Sequence, residues 1–224
     1  MKRITEPELM DSPLQAKTYA EADFESAHKQ IVSHFETLFP EVTVGGEILD
    51  LGCGPGDITF RFAKLFRNAN ITAIDGAPSM LKLARARAKK EPSTERRVSF
   101  IEAMIPSNDI PQKQYDLIIS NSLLHHLHNP LVLWETVLQH SKPGTTLFIA
   151  DLCRPKNKEE AQQIVDEFAA GEPELLRNDF YNSLLAAFRP SEIKSQLAQA
   201  GLKHLSITKN GHHLFIYGEA RLNA

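Results

Sequence analysis

Cysteine is nearly absent from this chain of 224 residues, which contains only Cys53 and Cys153. Neither lies in a CxxC or Cys/His ligand spacing, so the sequence favours neither a disulfide framework nor a zinc site. An excess of charge of one sign is also lacking, since 25 basic and 28 acidic residues give a formal net charge of −3. Such a chain has no general attraction to a polyanion, and nucleic acid is not an expected partner.

Long apolar runs are lacking as well. No segment is long and apolar enough to span a bilayer, and the stretch from Met1 to Met10 lacks the apolar core of a signal peptide. We therefore predict a cytoplasmic protein without a membrane partner, either a monomer or a homodimer. The 42% of hydrophobic residues suffice to bury the core of one domain.

Strand and helix patterns alternate from residue 45 onward. The strands predicted before residue 152 are Glu47–Leu51, Asn70–Asp75, Val98–Glu102, Tyr115–Ser120 and Thr145–Asp151. The alternation predicts an α/β fold with a doubly wound, largely parallel sheet, whose ligand binds beyond the carboxyl ends of the strands. The pair Asn210-Gly211 predicts a hairpin, so the last strand is expected to be antiparallel to its neighbour.

Three glycines follow the first strand in the segment ILDLGCGPG, which runs from Ile48 to Gly56. Glycines allow a sharp turn and a close approach of ligand to backbone, and the N–H groups of the next helix favour an anionic group. Asp75 lies nineteen positions after Gly56, at the end of the next strand. A carboxylate at that place can accept hydrogen bonds from both ribose hydroxyls of an adenosine. The loop and the acid together predict an adenosine-containing cofactor.

The residue after the loop separates two cofactor classes. The dinucleotide fingerprint GxGxxG requires a third glycine at position 57, but Asp57 stands there and its charge would repel a pyrophosphate. S-adenosylmethionine (SAM) has no phosphate, and its ammonium group is compatible with Asp50 or Asp57. An NAD-type oxidoreductase is the less favoured alternative. A non-catalytic SAM-binding protein would need the same loop and stays open.

Several segments carry a family resemblance. LDLGCGPG, AIDGAPSML, YDLIISNSLLHHLHNP, KPGTTLFIADL and RPSEIKSQLAQAGL resemble class I SAM-dependent methyltransferases over most of the chain, from about Gly46 to Gly218. The resemblance implies a Rossmann-like seven-stranded sheet in which only the final strand is antiparallel. It also implies methyl transfer from S-adenosyl-L-methionine, which leaves S-adenosyl-L-homocysteine (SAH) as product.

The resemblance also assigns cofactor-binding residues. The loop around the methionine part of SAM corresponds to Asp50, Gly52, Cys53, Gly54 and Gly56. Asp75 matches the acid on the ribose, Gly76 and Met80 flank the adenosine, and Asn121 faces the methionine ammonium. Many family members have an acid that contacts the adenine amino group, but Met104 falls at that position, with Glu102 two places earlier. We therefore expect Met104 to pack against the adenine ring.

Three histidines, His125, His126 and His128, follow the fourth strand, close to the expected methyl donor. A histidine can take a proton from an acceptor hydroxyl or amine near pH 7, and His126 is the first catalytic candidate, followed by His125. Equally, one or more of them packs or caps the next helix. No acid or cysteine accompanies this HHxH string at a recognised ligand spacing, so no metal is expected.

Further candidates lie elsewhere in the chain. Asp151, at the end of the fifth strand, is a second possible base or a substrate contact, unless it is merely a solvated strand end. Tyr19 and His128 are candidate substrate contacts, whereas His212 and His213 are expected at the surface of the hairpin. The Asn-Pro-Pro-aromatic motif of amino-methylating nucleic-acid enzymes is absent after the fourth strand. A small-molecule acceptor is therefore predicted.

One methyltransferase domain in four parts is expected over residues 1–224. The parts are an N-terminal helical cap at 1–44, a SAM-binding core at 45–151, a helical insertion or lid at 152–189, and the last helix with the C-terminal hairpin at 190–224. An insertion between a strand and the next helix is a place where a lid or an acceptor pocket can form.

Overall fold

The computed structural model describes residues 1–221. The strands are β1 Glu47–Leu51, β2 Asn70–Asp75, β3 Val98–Glu102, β4 Tyr115–Asn121, β5 Ser141–Leu152, β6 Ser206–Asn210 and β7 His213–Glu219. The helices are α1 Pro13–Glu21, α2 Glu25–Leu38, α3 Asp57–Leu65, α4 Pro78–Ala88, α5 Pro92–Glu95, α6 Leu131–His140, α7 Lys158–Phe168, α8 Glu174–Ala186 and α9 Pro190–Gln199. The predicted C-terminal part also includes residues 222–224, which lie outside the described residues.

The seven strands form one sheet in the order β3-β2-β1-β4-β5-β7-β6. Strands β1 to β5 are parallel, and β7 runs antiparallel to both of its neighbours. The predicted doubly wound, seven-stranded sheet with an antiparallel last strand is confirmed. The strand order reverses between β1 and β4, so their carboxyl ends form the switch point at which such sheets bind ligands.

Helices cover the sheet on both faces, which explains why its central strands are mostly apolar. On one face α6 and α9 pack around Trp134, which is fully buried and donates its indole N–H to Gln196 Oε1 at 3.0 Å. On the other face α2 and α3 bring Phe35 and Phe62 against Phe148 of β5. The helices on both faces therefore hold the strands, and with them the carboxyl ends at the switch point, in fixed positions.

The chain before α1 differs from the predicted helical cap. Residues 1–12, called the N-terminal strap below, are not helical, because they contain no helical apolar periodicity. They lie instead between the β4–α6 connection and α8, with a hydrogen bond from Ile4 N–H to the carbonyl of Leu185 at 3.1 Å. Within the predicted cap, helices α1 and α2 occupy only the part between residues 13 and 38.

The insertion is helical, as the sequence indicates. Helices α7 and α8 pack around Val165 and Leu184 and over Leu152 at the end of β5. This small core fixes the insertion above the carboxyl ends of the strands. Within residues 1–221, no helix has the combined length and apolar character needed to cross a membrane.

Candidate active site

A cavity of about 560 Å³ lies at the carboxyl ends of β1, β2 and β4. Its volume is within the range of small-molecule sites in proteins. The walls come from five regions: the N-terminal strap with α1 and α2, the loop after β1, the ends of β2 to β4, the insertion, and the β6–β7 hairpin. Segments distant in sequence therefore converge on one space.

The glycine loop after β1 has a backbone that only glycine adopts without strain. Gly52 has a φ of 75°, and a Cβ added there would lie 2.8 Å from the Cβ of Leu123. Gly54, with a φ of 53°, donates its N–H to Asp75 Oδ2 at 2.7 Å. The loop and the acid that were predicted to share one cofactor are thus hydrogen-bonded to each other.

Asp75 is the acid assigned to the ribose hydroxyls. Its Oδ1 accepts the N–H of Ala77 at 2.8 Å, so each carboxylate oxygen already has one backbone partner. A carboxylate offers about four lone-pair sites, which leaves one on each oxygen for a vicinal diol. Burial raises the pKa of Asp75, and the hydrogen bonds from Ala77 and Gly54 oppose that rise. The side chain lines the cavity and fits the predicted role.

The other acids of the loop differ from each other. Asp50 is 1% exposed, lines the cavity, and accepts the Thr59 hydroxyl at 2.6 Å. Burial raises the pKa of Asp50 to about 7. Asp57 instead forms an ion pair with Arg87 of α4. Of the two acids considered for the methionine ammonium, Asp50 is the one without a cationic partner among residues 1–221.

The residues assigned to the adenine lie at the mouth of the cavity. Gly76, Met80 and Met104 all line it, and Met104 is 44% exposed. A Cβ on Gly76 would collide with the sulfur of Met104 and with Leu9 of the N-terminal strap. Glu102, two positions before Met104, lies outside the lining that residues 1–221 form. Met104, at the position where the resemblance implies an acid, therefore places its thioether beside Gly76.

The end of β4 contains a strained residue that sequence reasoning missed. Asn121 lines the cavity as predicted, and Ser122 after it has a φ of 57°, the left-handed region that non-glycine residues rarely adopt. Its N–H is held by the carbonyl of Ala150 at 2.9 Å. Such strain, of about 1–3 kcal/mol, concentrates at functional sites. No sequence signal marks it, because serine is not a typical left-handed residue.

His125 and Asp151 form a buried pair. Nδ1 of His125 lies 2.6 Å from Asp151 Oδ1, and both side chains are almost fully buried. Because the partner is a carboxylate, Nδ1 carries the proton and Nε2 is the free nitrogen. Burial alone would lower the pKa of His125, but the charge and hydrogen bond of Asp151 outweigh it and raise that pKa. Asp151 is therefore not a solvated strand end.

The other two histidines of the HHxH string differ in position. His126 lines the cavity, and burial together with the neighbouring His125 lowers the pKa of His126 to about 3. His128 does not reach the lining formed by residues 1–221: its side chain is 56% exposed and its Nε2 meets the carbonyl of Glu6 at 2.9 Å. The turn after β4 directs His128 outward against the N-terminal strap, and its substrate contact stays a prediction.

The insertion and the hairpin form the far wall. The ring of His212 lies 4.4 Å from Phe168 and 5.7 Å from Phe180. His212 and His213 line the cavity and are half-buried, contrary to their predicted surface location, because α7 and α8 cover the hairpin. Tyr19 of α1 also lines the cavity, and burial raises its pKa well above the usual value.

Acidic side chains predominate among the charged residues that line the cavity. Within residues 1–221, neither lysine nor arginine lines the cavity. The carboxylates that do are Glu8, Asp23, Asp50, Asp57, Asp75, Glu172 and Asp179. Such a space favours a ligand with positive charge, and SAM has a sulfonium in addition to its zwitterionic methionine part.

Known proteins share this fold. A putative SAM-dependent methyltransferase from Methanococcus maripaludis aligns with a TM-score of 0.68 at 17% identity, covering 96% of this chain and 95% of that one. A SAM-dependent methyltransferase from Aquifex aeolicus aligns with a TM-score of 0.66 at 17% identity, covering 93% and 98%. Structures at this level of identity show the common fold.

Curated relatives match part of the sequence. A malonyl-[acyl-carrier protein] O-methyltransferase of Priestia megaterium is 36% identical over 59% of this chain and 47% of its own length. The mitochondrial ubiquinone biosynthesis O-methyltransferase of Schizosaccharomyces pombe is 26% identical over 49% of this chain and 39% of its own. This chain thus spans less than half the length of these two relatives. The model of the family described as "Methyltransferase domain" matches residues 43–201. The chain therefore belongs to the methyltransferase domain family, and the predicted resemblance to SAM-dependent methyltransferases is confirmed.

Proposed function

We propose that this protein transfers the methyl group of SAM to a small-molecule acceptor bound in the same cavity. The observation that supports this most strongly is the hydrogen bond between the glycine loop and Asp75, with one lone pair left on each carboxylate oxygen. That arrangement fits the two ribose hydroxyls of an adenosine. The acidic lining without lysine or arginine fits a cationic sulfonium and disfavours a pyrophosphate.

The assigned cofactor residues divide the cavity into three parts. In our proposal Asp75 binds the ribose, Gly76, Met80 and Met104 contact the adenine, and the methionine part lies along the glycine loop. Asp50, which is buried without a cationic partner among residues 1–221, binds the ammonium. Cys53 is buried beside the loop, and burial raises its pKa, so it contributes packing as a thiol.

The chemistry requires little of the protein beyond positioning. SAM supplies a methyl group that the adjacent positive sulfur already activates. The residues around the cavity hold the acceptor in line with that group and exclude water, which supplies most of the rate enhancement for such a displacement. We assign the exclusion of water to the N-terminal strap and to the insertion, residues 152–189, which we propose to be the acceptor-side lid.

An acceptor that arrives protonated also needs a base. We assign this role to Nε2 of His125, because the Asp151 carboxylate orients the ring and stabilises the imidazolium that forms. His126 lies beside it but is a weaker base, since its pKa is about 3. Two curated relatives are named O-methyltransferases, which favours oxygen as the methylated atom.

Calorimetric titration of the protein with SAM, SAH and NAD tests the cofactor assignment. We expect micromolar binding of SAM and SAH, and a loss of more than about tenfold in affinity in Asp75→Asn, because one of the two acceptor oxygens becomes an N–H donor and the remaining hydrogen bond loses its charge. Glu102→Gln is the matched control: Glu102 pairs with Asp75 across β2 and β3 but lies outside the lining. Binding of NAD alone would contradict the proposal.

A further inference from the structure

Three ligand-type side chains converge beside the cavity. Glu6 Oε1 of the N-terminal strap lies 3.5 Å from Nε2 of His125 and 3.4 Å from Nδ1 of His126. The candidate ligand atoms of all three residues lie within 4.8 Å of one another. No local spacing predicts this group, because Glu6 comes from the far N-terminal end of the sequence.

The separations match those of a metal centre. In a tetrahedral site with ligand distances of about 2.0–2.2 Å, neighbouring donor atoms are about 3.3–3.6 Å apart. Both measured distances from Glu6 are in this range. Two imidazoles and one carboxylate are also a donor set that zinc accepts at catalytic sites, where a fourth position stays open.

The carboxylate is buried and poorly satisfied. Glu6 Oε2 accepts the Ser183 hydroxyl at 3.3 Å, but Oε1 is buried without a well-oriented hydrogen-bond donor among residues 1–221. A buried carboxylate oxygen without a partner is costly, and a cation between it and the two imidazoles would satisfy it. The N-terminal strap thus presents a carboxylate oxygen that lies beside both imidazoles but accepts no well-oriented hydrogen bond from residues 1–221.

The next layer of contacts also resembles that of a metal site. Nδ1 of His125 is hydrogen-bonded to Asp151 at 2.6 Å, which leaves Nε2 as the atom that faces Glu6. Metal-binding histidines commonly donate their other ring nitrogen to a carboxylate in this way, which fixes the tautomer and the ring orientation. Here that carboxylate belongs to β5, a rigid strand of the sheet.

We propose that Glu6, His125 and His126 form a binding site for one divalent transition-metal ion of the Zn²⁺ type, with its fourth position open to the cavity. His125 and His126 line the cavity, so a ligand atom from the acceptor has access to that position. With an ion bound, Nε2 of His125 can no longer act as a base. An acceptor hydroxyl on the ion would lose its proton to solvent more readily, because the cation lowers its pKa.

Metal binding is tested without SAM or acceptor. The full chain, freed of metal with a chelator, is titrated with Zn²⁺ by calorimetry and with Co²⁺ by visible absorption, since four-coordinate Co²⁺ absorbs strongly. We expect one ion per chain and a loss of more than about 100-fold in affinity in Glu6→Gln and in His126→Gln. Asp151→Asn should lose about 10–100-fold, as expected for a partner behind a ligand.

Glu8→Gln and His128→Gln are the matched controls. They remove the same residue types two positions along each segment, and these two residues contact each other rather than the cluster. Both controls should bind Zn²⁺ like the wild type, and thermal melting of each variant reports whether it folds. No stoichiometric Zn²⁺ binding, or equal affinity in the Glu6 and Glu8 variants, would overturn the proposal. SAM titration of the same preparation tests the proposed cofactor site separately, and transfer of labelled methyl from SAM tests the proposed function, so failure of the metal proposal and failure of the proposed function can be told apart.

Discussion

Asp50 combines near-complete burial with a position in the cavity lining, and burial raises its pKa to about 7. In the proposed complex the ammonium of SAM lies beside it and favours the charged carboxylate, which lowers that pKa. Binding should therefore release a proton, and SAM affinity should rise by about tenfold from about pH 6 to pH 8. Calorimetry in two buffers of different ionisation enthalpy measures both the affinity and the proton release.

The controls for this pH dependence are two isosteric variants. Asp50→Asn cannot ionise and should give a nearly flat profile at reduced affinity. Asp57→Asn removes a carboxylate that Arg87 already neutralises, so the slope of the wild type should persist. Equal slopes in the wild type and in Asp50→Asn would show that another group, such as the amine of SAM itself, controls the pH dependence.

Single residues were predictable where the chemistry is local in the sequence. Asp50, the glycines and Asp75 are predictable because the loop and the following strand end always meet in this fold. Glu6 was not predictable, since its neighbours His125 and His126 lie more than a hundred positions away in the sequence. The HHxH string shows a second limit: His128 belongs to it, but its side chain is 56% exposed and lies outside the lining formed by residues 1–221, because the turn after β4 directs neighbouring side chains in different directions.

At the scale of elements and segments, periodicity did not reveal the N-terminal strap or its position beside the cavity. An extended segment has no helical pattern, and its backbone finds partners only in the folded protein. The bounds of β1 and β2 were predicted to the residue, because buried parallel strands are short apolar runs. The helices of the insertion were also predictable, but not their packing over the hairpin.

Arg3 connects this strap to two other elements. Its guanidinium donates to the carbonyls of His125 at 2.7 Å and Leu127 at 3.0 Å, and its Nε donates to the carbonyl of Ala186 in α8. It also lies 4.0 Å from the ring centre of Phe188. Arg3→Ala should lower the free energy of unfolding by about 2–3 kcal/mol, since hydrogen bonds from a charged group are lost and carbonyls remain unpaired. Urea denaturation measures this loss.

The matched control is Lys2→Ala, a change of the exposed cation next to Arg3. We expect its effect on stability to stay within about 0.5 kcal/mol, the usual range for surface substitutions. Equal denaturation midpoints for the two variants would show that the strap does not stabilise the insertion. If only Arg3→Ala lowers the free energy of unfolding and its SAM affinity is retained, Arg3 stabilises the acceptor side of the cavity and not the cofactor side.

At the scale of the whole molecule, the charges are distributed unevenly. The net charge is only −3, yet the cavity lining contains carboxylates and, within residues 1–221, neither lysine nor arginine. Basic residues lie outside the lining: Arg61 and Arg177 pair with acids that are not part of it, and Arg87 neutralises one carboxylate of the lining, Asp57. The acceptor therefore meets a field that favours neutral or cationic molecules and repels carboxylates and phosphates.

This field predicts the acceptor class. In matched pairs such as a catechol and the same catechol bearing a carboxylate, the neutral member should have a kcat/KM at least about tenfold higher, because a like charge in the cavity costs more than 1.4 kcal/mol. Transfer of labelled methyl from SAM measures the ratio of the two kcat/KM values.

Two changes test whether charge causes this preference. Higher ionic strength should reduce the ratio, since salt screens charges near the cavity mouth. Glu172→Lys adds a cation to the acceptor wall and should also reduce the ratio of kcat/KM values. Glu167→Lys, on α7 and outside the lining, should leave the ratio unchanged. Faster transfer to the carboxylated member would show that the carboxylates of the lining do not govern acceptor selection, and would point to a bound metal ion instead.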